Sequence, residues 1–140
     1  MDTGTARLLH LAEAMDNFKE LGKPHGIDKF NIANFFCGSS ACALGLAGYL
    51  PQFIADGLKM TIRQPTYNGL AYSGPLITDF SFGDEEDDKA IASFFGITKD
   101  DVDQLFYPHH INRSGKDPYP LDEHEMAVRL RTFVANESYL

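Results

Sequence analysis

Phe35-Phe36-Cys37-Gly38-Ser39-Ser40-Ala41-Cys42-Ala43-Leu44-Gly45-Leu46-Ala47-Gly48 is the stretch on which the fold turns. It is crowded with small residues and runs into the longest apolar segment of the chain, Ala41 to Leu50. Read as a helix, Cys37 to Leu50 brings Cys37, Ala41, Gly45 and Gly48 near one face. Such a face lets neighbouring chain come close, which offsets the roughly 1 kcal/mol that each interior glycine costs a helix relative to alanine. Ser39 or Ser40 is placed to cap the start. Pro51 is placed to break the end. The apolar segment would rise about 15 Å, half of a bilayer core, so it predicts a buried helix and no membrane span.

Upstream, Leu8, Leu9, Leu11, Ala12, Met15, Phe18 and Leu21 recur at helical spacing. They predict an amphipathic helix from Thr5 to Leu21, stopped by Gly22 and Pro24. Phe30, Ile32, Phe35 and Phe36 fit a brief strand or an extended loop equally. Downstream, Leu58 to Arg63 alternates as a strand does. Gln64 to Gly83 carries Pro65, Gly69, Gly74, Pro75 and Gly83, and reads as a loop with one short strand near Leu76 to Phe80. Its Tyr67, Tyr72, Phe80 and Phe82 would form either a recognition edge or a cover for the core. Asp84 to Phe95 predicts a helix whose acidic first turn suits the helix dipole. After Gly96, Thr98 and Asp101 resemble a capping box for a helix through Phe106. His109 to Pro120 is polar and turn-rich; Asp122 opens a last helix with Met126, Val128, Leu130, Phe133 and Val134 as apolar contacts. The expectation is a mostly helical α+β fold, one compact domain over residues 1–140. It has about five helices and a two- or three-stranded sheet around a buried central helix.

Twenty Asp and Glu oppose twelve Lys and Arg, a net charge of -8 over 140 residues. That acidity argues against a broad polyanion-binding face, so no nucleic acid is expected as a partner. An apolar share of 44% fits a folded domain and not a disordered one. Residues Met1 to Glu20 lack the basic start and apolar middle of a signal peptide. Cys37 and Cys42 would diverge on one helix, so a disulfide is not expected, and reduced thiols fit a cytoplasmic setting. No phosphate-cradling glycine motif is present, and no cofactor is expected. A protein or small-molecule partner is expected, with a homo-oligomer as an option.

A cysteine opening a helix has its thiolate favoured by the dipole and the free N–H groups. The string Cys37-Gly38-Ser39-Ser40-Ala41-Cys42-Ala43 resembles the Cys-Gly-Ser-Cys-Trp-Ala of papain-like cysteine peptidases. It is also similar to the Cys-Gly-x-Ala-Cys of bacteriocin-processing peptidases. The resemblance implies Cys37 as nucleophile and His109 or His110 as general base. It implies Asp117 or Asp122 as the orienting group, and Asn31 as oxyanion donor where those families use Gln. The family's Cys-Trp is missing, and the histidines stand in Tyr107-Pro108-His109-His110, not in an alternating strand.

A wider resemblance covers roughly residues 30 to 135. It joins the cysteine core to Phe94-Phe95-Gly96-Ile97-Thr98 and to Val128-Arg129-Leu130-Arg131-Thr132-Phe133-Val134. The chain is similar in this to a group of small uncharacterised bacterial and phage proteins with a Cys-Gly-Thr/Ser-x-Ala-Cys-x-x-Gly core. That likeness implies one compact domain and no particular chemistry.

Ala90 to Val102 has the outline of a helix-turn-helix, but its second helix offers Lys99, Asp100, Asp101, Asp103 and Gln104. Three carboxylates would repel a polyanion, so a helical hairpin is the expectation. His109, His110, Asp117, Asp122, His124 and Glu125 lack metal-ligand spacing, and no metal is expected. His10 reads as a partly buried histidine and His25 as a loop residue. The expected function is a small cytoplasmic binding or regulatory domain. The alternatives are a papain-like thiol hydrolase acting through Cys37 and an acidic protein-interaction module spanning Asp79 to Asp103.

Overall fold

The first apolar stripe forms α1 (Thr3–Asp16), which buries Leu8, Leu11, Ala12 and Met15. This helix does not run through to Leu21. Asn17 leaves helical geometry at φ -114° and ψ 25°. Its Nδ2 donates to the Glu13 carbonyl at 3.1 Å, a local bond by which asparagine competes with the helical ladder. One further turn, α2 (Phe18–Gly22), and a 3-10 turn at Lys23–His25 complete the segment. The computed structural model describes residues 3–27, 29–30, 40–63, 66–71, 77–106 and 122–136.

The helix expected over Cys37 to Leu50 is the main correction. Ser40 and Ala41 form β2 (Ser40–Ala41), paired in parallel with β1 (Lys29–Phe30). Cys42, extended at φ -87° and ψ -177°, turns the chain into α3 (Ala43–Ala47). Neither serine caps that helix: Ser40 lies in the strand, Ser39 lies outside the described residues, and Cys42 holds the cap position without a side-chain bond. Every residue of α3 is buried. Leu50 takes ψ 122°, as the residue before a proline tends to, and Pro51 then opens α4 (Pro51–Ala55). Ala41 therefore shares no helical face with Gly45 and Gly48.

β3 (Lys59–Arg63) forms where alternation predicts it. The stretch read as a loop after it holds a hairpin, β4 (Thr66–Tyr67) and β5 (Leu70–Ala71). Asn68 and Gly69 close it at φ 52° and 79°, the successive left-handed pair of a type I′ turn. β6 (Ile77–Phe82) then pairs antiparallel with β3, with Met60 opposite Phe80. Phe80 is buried on the core side. β7 (Glu85–Glu86) returns along β6 after a turn at Gly83 and Asp84. Pairing with β6 thus removes Asp84, Glu85 and Glu86 from the helix expected there. α5 (Asp87–Phe95) keeps only Asp87 and Asp88 in its first turn.

Gly96, at φ 66°, ends α5 with its N–H directed to the Ala92 and Ser93 carbonyls. The capping box forms as predicted. Thr98 Oγ1 accepts the Asp101 N–H at 3.1 Å, and Asp101 Oδ2 accepts the Thr98 N–H at 3.3 Å. α6 (Lys99–Phe106) follows and buries Val102, Leu105 and Phe106. α7 (Glu123–Asn136) starts where Asp122 Oδ1 accepts the Glu125 N–H at 2.8 Å. It buries Met126, Ala127, Leu130 and Phe133, whereas Val128, expected at the core, is 62% exposed.

The fold is mostly helical α+β with a small antiparallel sheet in the order β3–β6–β7. Among the described residues seven α-helices replace the five expected, because Asn17 and Pro51 divide runs that are continuous in apolar pattern. α1 packs most widely on α7, and α5 lies against both α1 and β6. Phe53 of α4 joins these layers, its ring 4.9 Å from Phe94 and 5.8 Å from Phe95 in edge contacts. Arg7 ties them further. Its Nη1 donates to the Phe94 carbonyl at 2.8 Å, its guanidinium sits 4.1 Å from the centre of the Phe94 ring, and Asp56 lies 3.4 Å from Nε.

Candidate functional site

Asn31, Cys37, His109, His110 and Asp117, the proposed catalytic set, lie outside the described residues. Asp122, the second choice of orienting group, caps α7 through Oδ1. The helix dipole that sequence reading placed at Cys37 falls instead at Cys42, beside the N-terminus of α3. Cys42 is a buried free thiol. Burial pushes its pKa up to about 11, against the opposing pull of the Gly45 and Leu44 backbone N–H groups. Desolvation of a thiolate here outweighs the hydrogen bonds and dipole of one short helix. Cys42 therefore behaves as a small hydrophobe in the core.

A cleft of about 430 Å³ opens between α1, α2 and the start of α4. Asn17, at the break between the two helices, lines it together with His10, Glu13 and Ala14 from α1. Glu20 and Leu21 come from α2, and Leu50, Pro51 and Gln52 form the facing wall. Ala14 and Leu50 are almost wholly buried and make the base, while Leu21 remains 39% exposed at the edge. His10 stands edge-on to Phe53, ring centres 5.3 Å apart, which holds the imidazole at one end of the cleft. Outside the cleft lining, His25 stacks on Tyr49 at 4.1 Å. By area the lining is mainly apolar, while His10, Glu13, Asn17, Glu20 and Gln52 bring five polar side chains to it.

Two other hollows differ in chemistry. One, about 370 Å³, lies on the outer sheet face between Thr61, Asp79, Ser81, Glu86 and Asp87, and is mostly polar. The other lies where α1 and α2 meet α7, beside Asp16 and His124. Asp16 Oδ2 is 2.8 Å from Arg131 Nη2, and Oδ1 is 3.2 Å from His124 Nδ1. The hydrogen bond from Arg131, then that from His124, lowers the Asp16 pKa below the ordinary carboxylate value. His124 thus holds α1 to α7 in an exposed polar cluster.

Sequence reading assigned His10 and Leu21 to an apolar stripe and did not connect them to Leu50 and Pro51. The only local signal was Asn17, which breaks the helix and changes the direction of the chain. Compared with protein-family models, with curated proteins and with solved structures, the chain has no match.

Proposed function

We propose that this chain is a small binding domain that takes its ligand in the cleft between α1, α2 and α4. The observation that carries the reading is an apolar base, Ala14 and Leu50, within one concavity with the rim carboxylates Glu13 and Glu20. An apolar base supplies burial energy, and a few polar groups at the rim supply orientation. The buried free thiol of Cys42 supports a reducing, cytoplasmic setting for the domain. The test is a methyl-resolved NMR titration. Neutral alcohols, carboxylates, monoamines and diamines are added while the signals of Ala14, Leu21 and Leu50 are followed. At least one class should move these three together and leave the Val128 methyls, exposed on α7 and outside the cleft lining, in place. A panel that moves none of them removes the reading.

A second reading, an acidic protein-interaction module, is favoured by how charge is distributed. Residues 79–103 hold nine Asp and Glu against two Lys, so they carry seven of the eight net negative charges. Asp84, Glu85, Glu86, Asp87 and Asp100 are exposed. Such a segregated field would steer a basic partner and lose its effect as salt rises. Binding to a basic protein with no dependence on ionic strength would count against this second reading.

A further inference from the structure

We infer that the occupant of the cleft is a linear aliphatic diamine or polyamine, its alkyl chain on the apolar base and an ammonium group at each of Glu13 and Glu20. This rests on the binding reading above and names the ligand class. Glu13 and Glu20 are both exposed and both line the cleft. Seven residues, about two helical turns interrupted at Asn17, separate them, so their backbones lie on the order of 10 Å apart. Ala14 and Leu21 line it from the α1–α2 side, and Leu50 and Pro51 from the α4 side. Among the described residues, no lysine or arginine lines the cleft. The site thus has two anionic groups separated along the α1–α2 side, with Asn17 between them and the almost wholly buried Ala14 and Leu50 beside them. A molecule with two cationic ends and an apolar middle matches it in charge. A monoamine reaches one carboxylate only, a carboxylate ligand is repelled, and a neutral chain gains from the floor alone.

The experiment titrates the full chain with spermidine, putrescine and butylamine at low salt. It uses calorimetry together with the methyl signals of Ala14, Leu21 and Leu50. Spermidine should bind more tightly than butylamine, move those methyls, and weaken as salt is raised. Glu13→Gln and Glu20→Gln should each weaken spermidine by about two- to fivefold, the reach of an exposed ion pair. Both side chains are exposed, so both variants should keep the wild-type circular dichroism spectrum. Equal affinity for butylamine and spermidine, or wild-type affinity in both variants, overturns the inference. So does heat release whose spectral changes map to residues 84–103 and not to the cleft. If alcohols or carboxylates move the cleft methyls where amines do not, the diamine assignment falls and the binding reading stands. If no compound moves them, both fall.

Discussion

Among the described residues three glycines sit at tight contacts, Gly4, Gly22 and Gly48, and the first and last of them face different obstacles. Gly4 lies in the first turn of α1 against the end of α5, where an added Cβ would fall 2.1 Å from the Phe95 carbonyl oxygen. Gly48 follows α3, where a Cβ would meet the Met60 side chain, 2.3 Å from Sδ and 2.7 Å from its Cβ. The first obstacle is main chain at the end of α5, in the peptide group whose Gly96 N–H donates to the Ser93 carbonyl. The second is a thioether whose Sδ and Cε can change rotamer, although the Met60 Cβ is held by β3. Small residues were expected to matter in the 37–50 segment, yet the least yielding contact belongs to the N-terminal helix. How much a small residue matters depends on how rigid the atoms facing it are.

The comparison can be broken or sharpened by experiment. The largest effect should come from the ring that joins the two regions. Phe53 is fully buried against Phe94 and Phe95. Phe53→Ala should cost about 3–5 kcal/mol in urea unfolding, the usual price of deleting a core phenyl. A loss below about 1 kcal/mol would mean that the regions are not coupled through α4.

Cys42, at the start of α3, provides a pH test. The thiol titrates near 9 when unfolded and at about 11 when native. Between those values the unfolded chain has released a proton that the native chain keeps, so stability falls as pH rises through that window. The loss should approach roughly 2–3 kcal/mol, with no effect below the window. Subtracting the pH profile of Cys42→Ala isolates this slope from other titrating groups. In a Cys37→Ala background, Cys42 should also resist iodoacetamide at neutral pH until the protein unfolds.

The glycines themselves come next. Gly4→Ala should destabilise by about 2 kcal/mol and Gly48→Ala by about 1 kcal/mol, both from overpacking. Pairing Gly48→Ala with a shortened Met60, as Met60→Ala, should recover part of that steric cost. A larger cost at Gly48 than at Gly4 would invert the comparison. The smallest effect is expected at the α5–α6 junction, just beyond the Gly96 amide that Gly4 faces. Thr98→Ala removes one side of the capping box and should cost about 1 kcal/mol. Hydrogen exchange should rise at the Asp101 amide, which Thr98 Oγ1 holds at 3.1 Å.

Much of the fold was legible because its determinants lie within a few residues of each other. Thr98 and Asp101, Asp122 and the Glu125 amide, and Gly96 with Ala92 are local pairs, and each behaves as its spacing implies. Asn68-Gly69 was equally local, and its hairpin was missed only because nearby prolines and glycines gave the whole stretch the look of a loop. The error over Cys37 to Leu50 has another origin. β2 is extended because Ser40 and Ala41 align with Lys29 and Phe30, and the composition of a small-residue run does not reveal a partner eleven residues upstream. The cleft was out of reach for the same reason, since residues 10–21 meet residues 50–52 only once the chain has folded.

Residue order alone determined the capping box at Thr98 and Asp101, the stop at Gly96, and that the fold is mostly helical. Those outcomes depend on hydrogen bonds and steric limits that span at most a turn or two. Tertiary structure decided which glycine faces rigid backbone, which thiol is desolvated, and that Glu13 and Glu20 share a concavity with Leu50. Each of those depends on atoms supplied by distant segments, and burial and close contact are properties of the assembled neighbours.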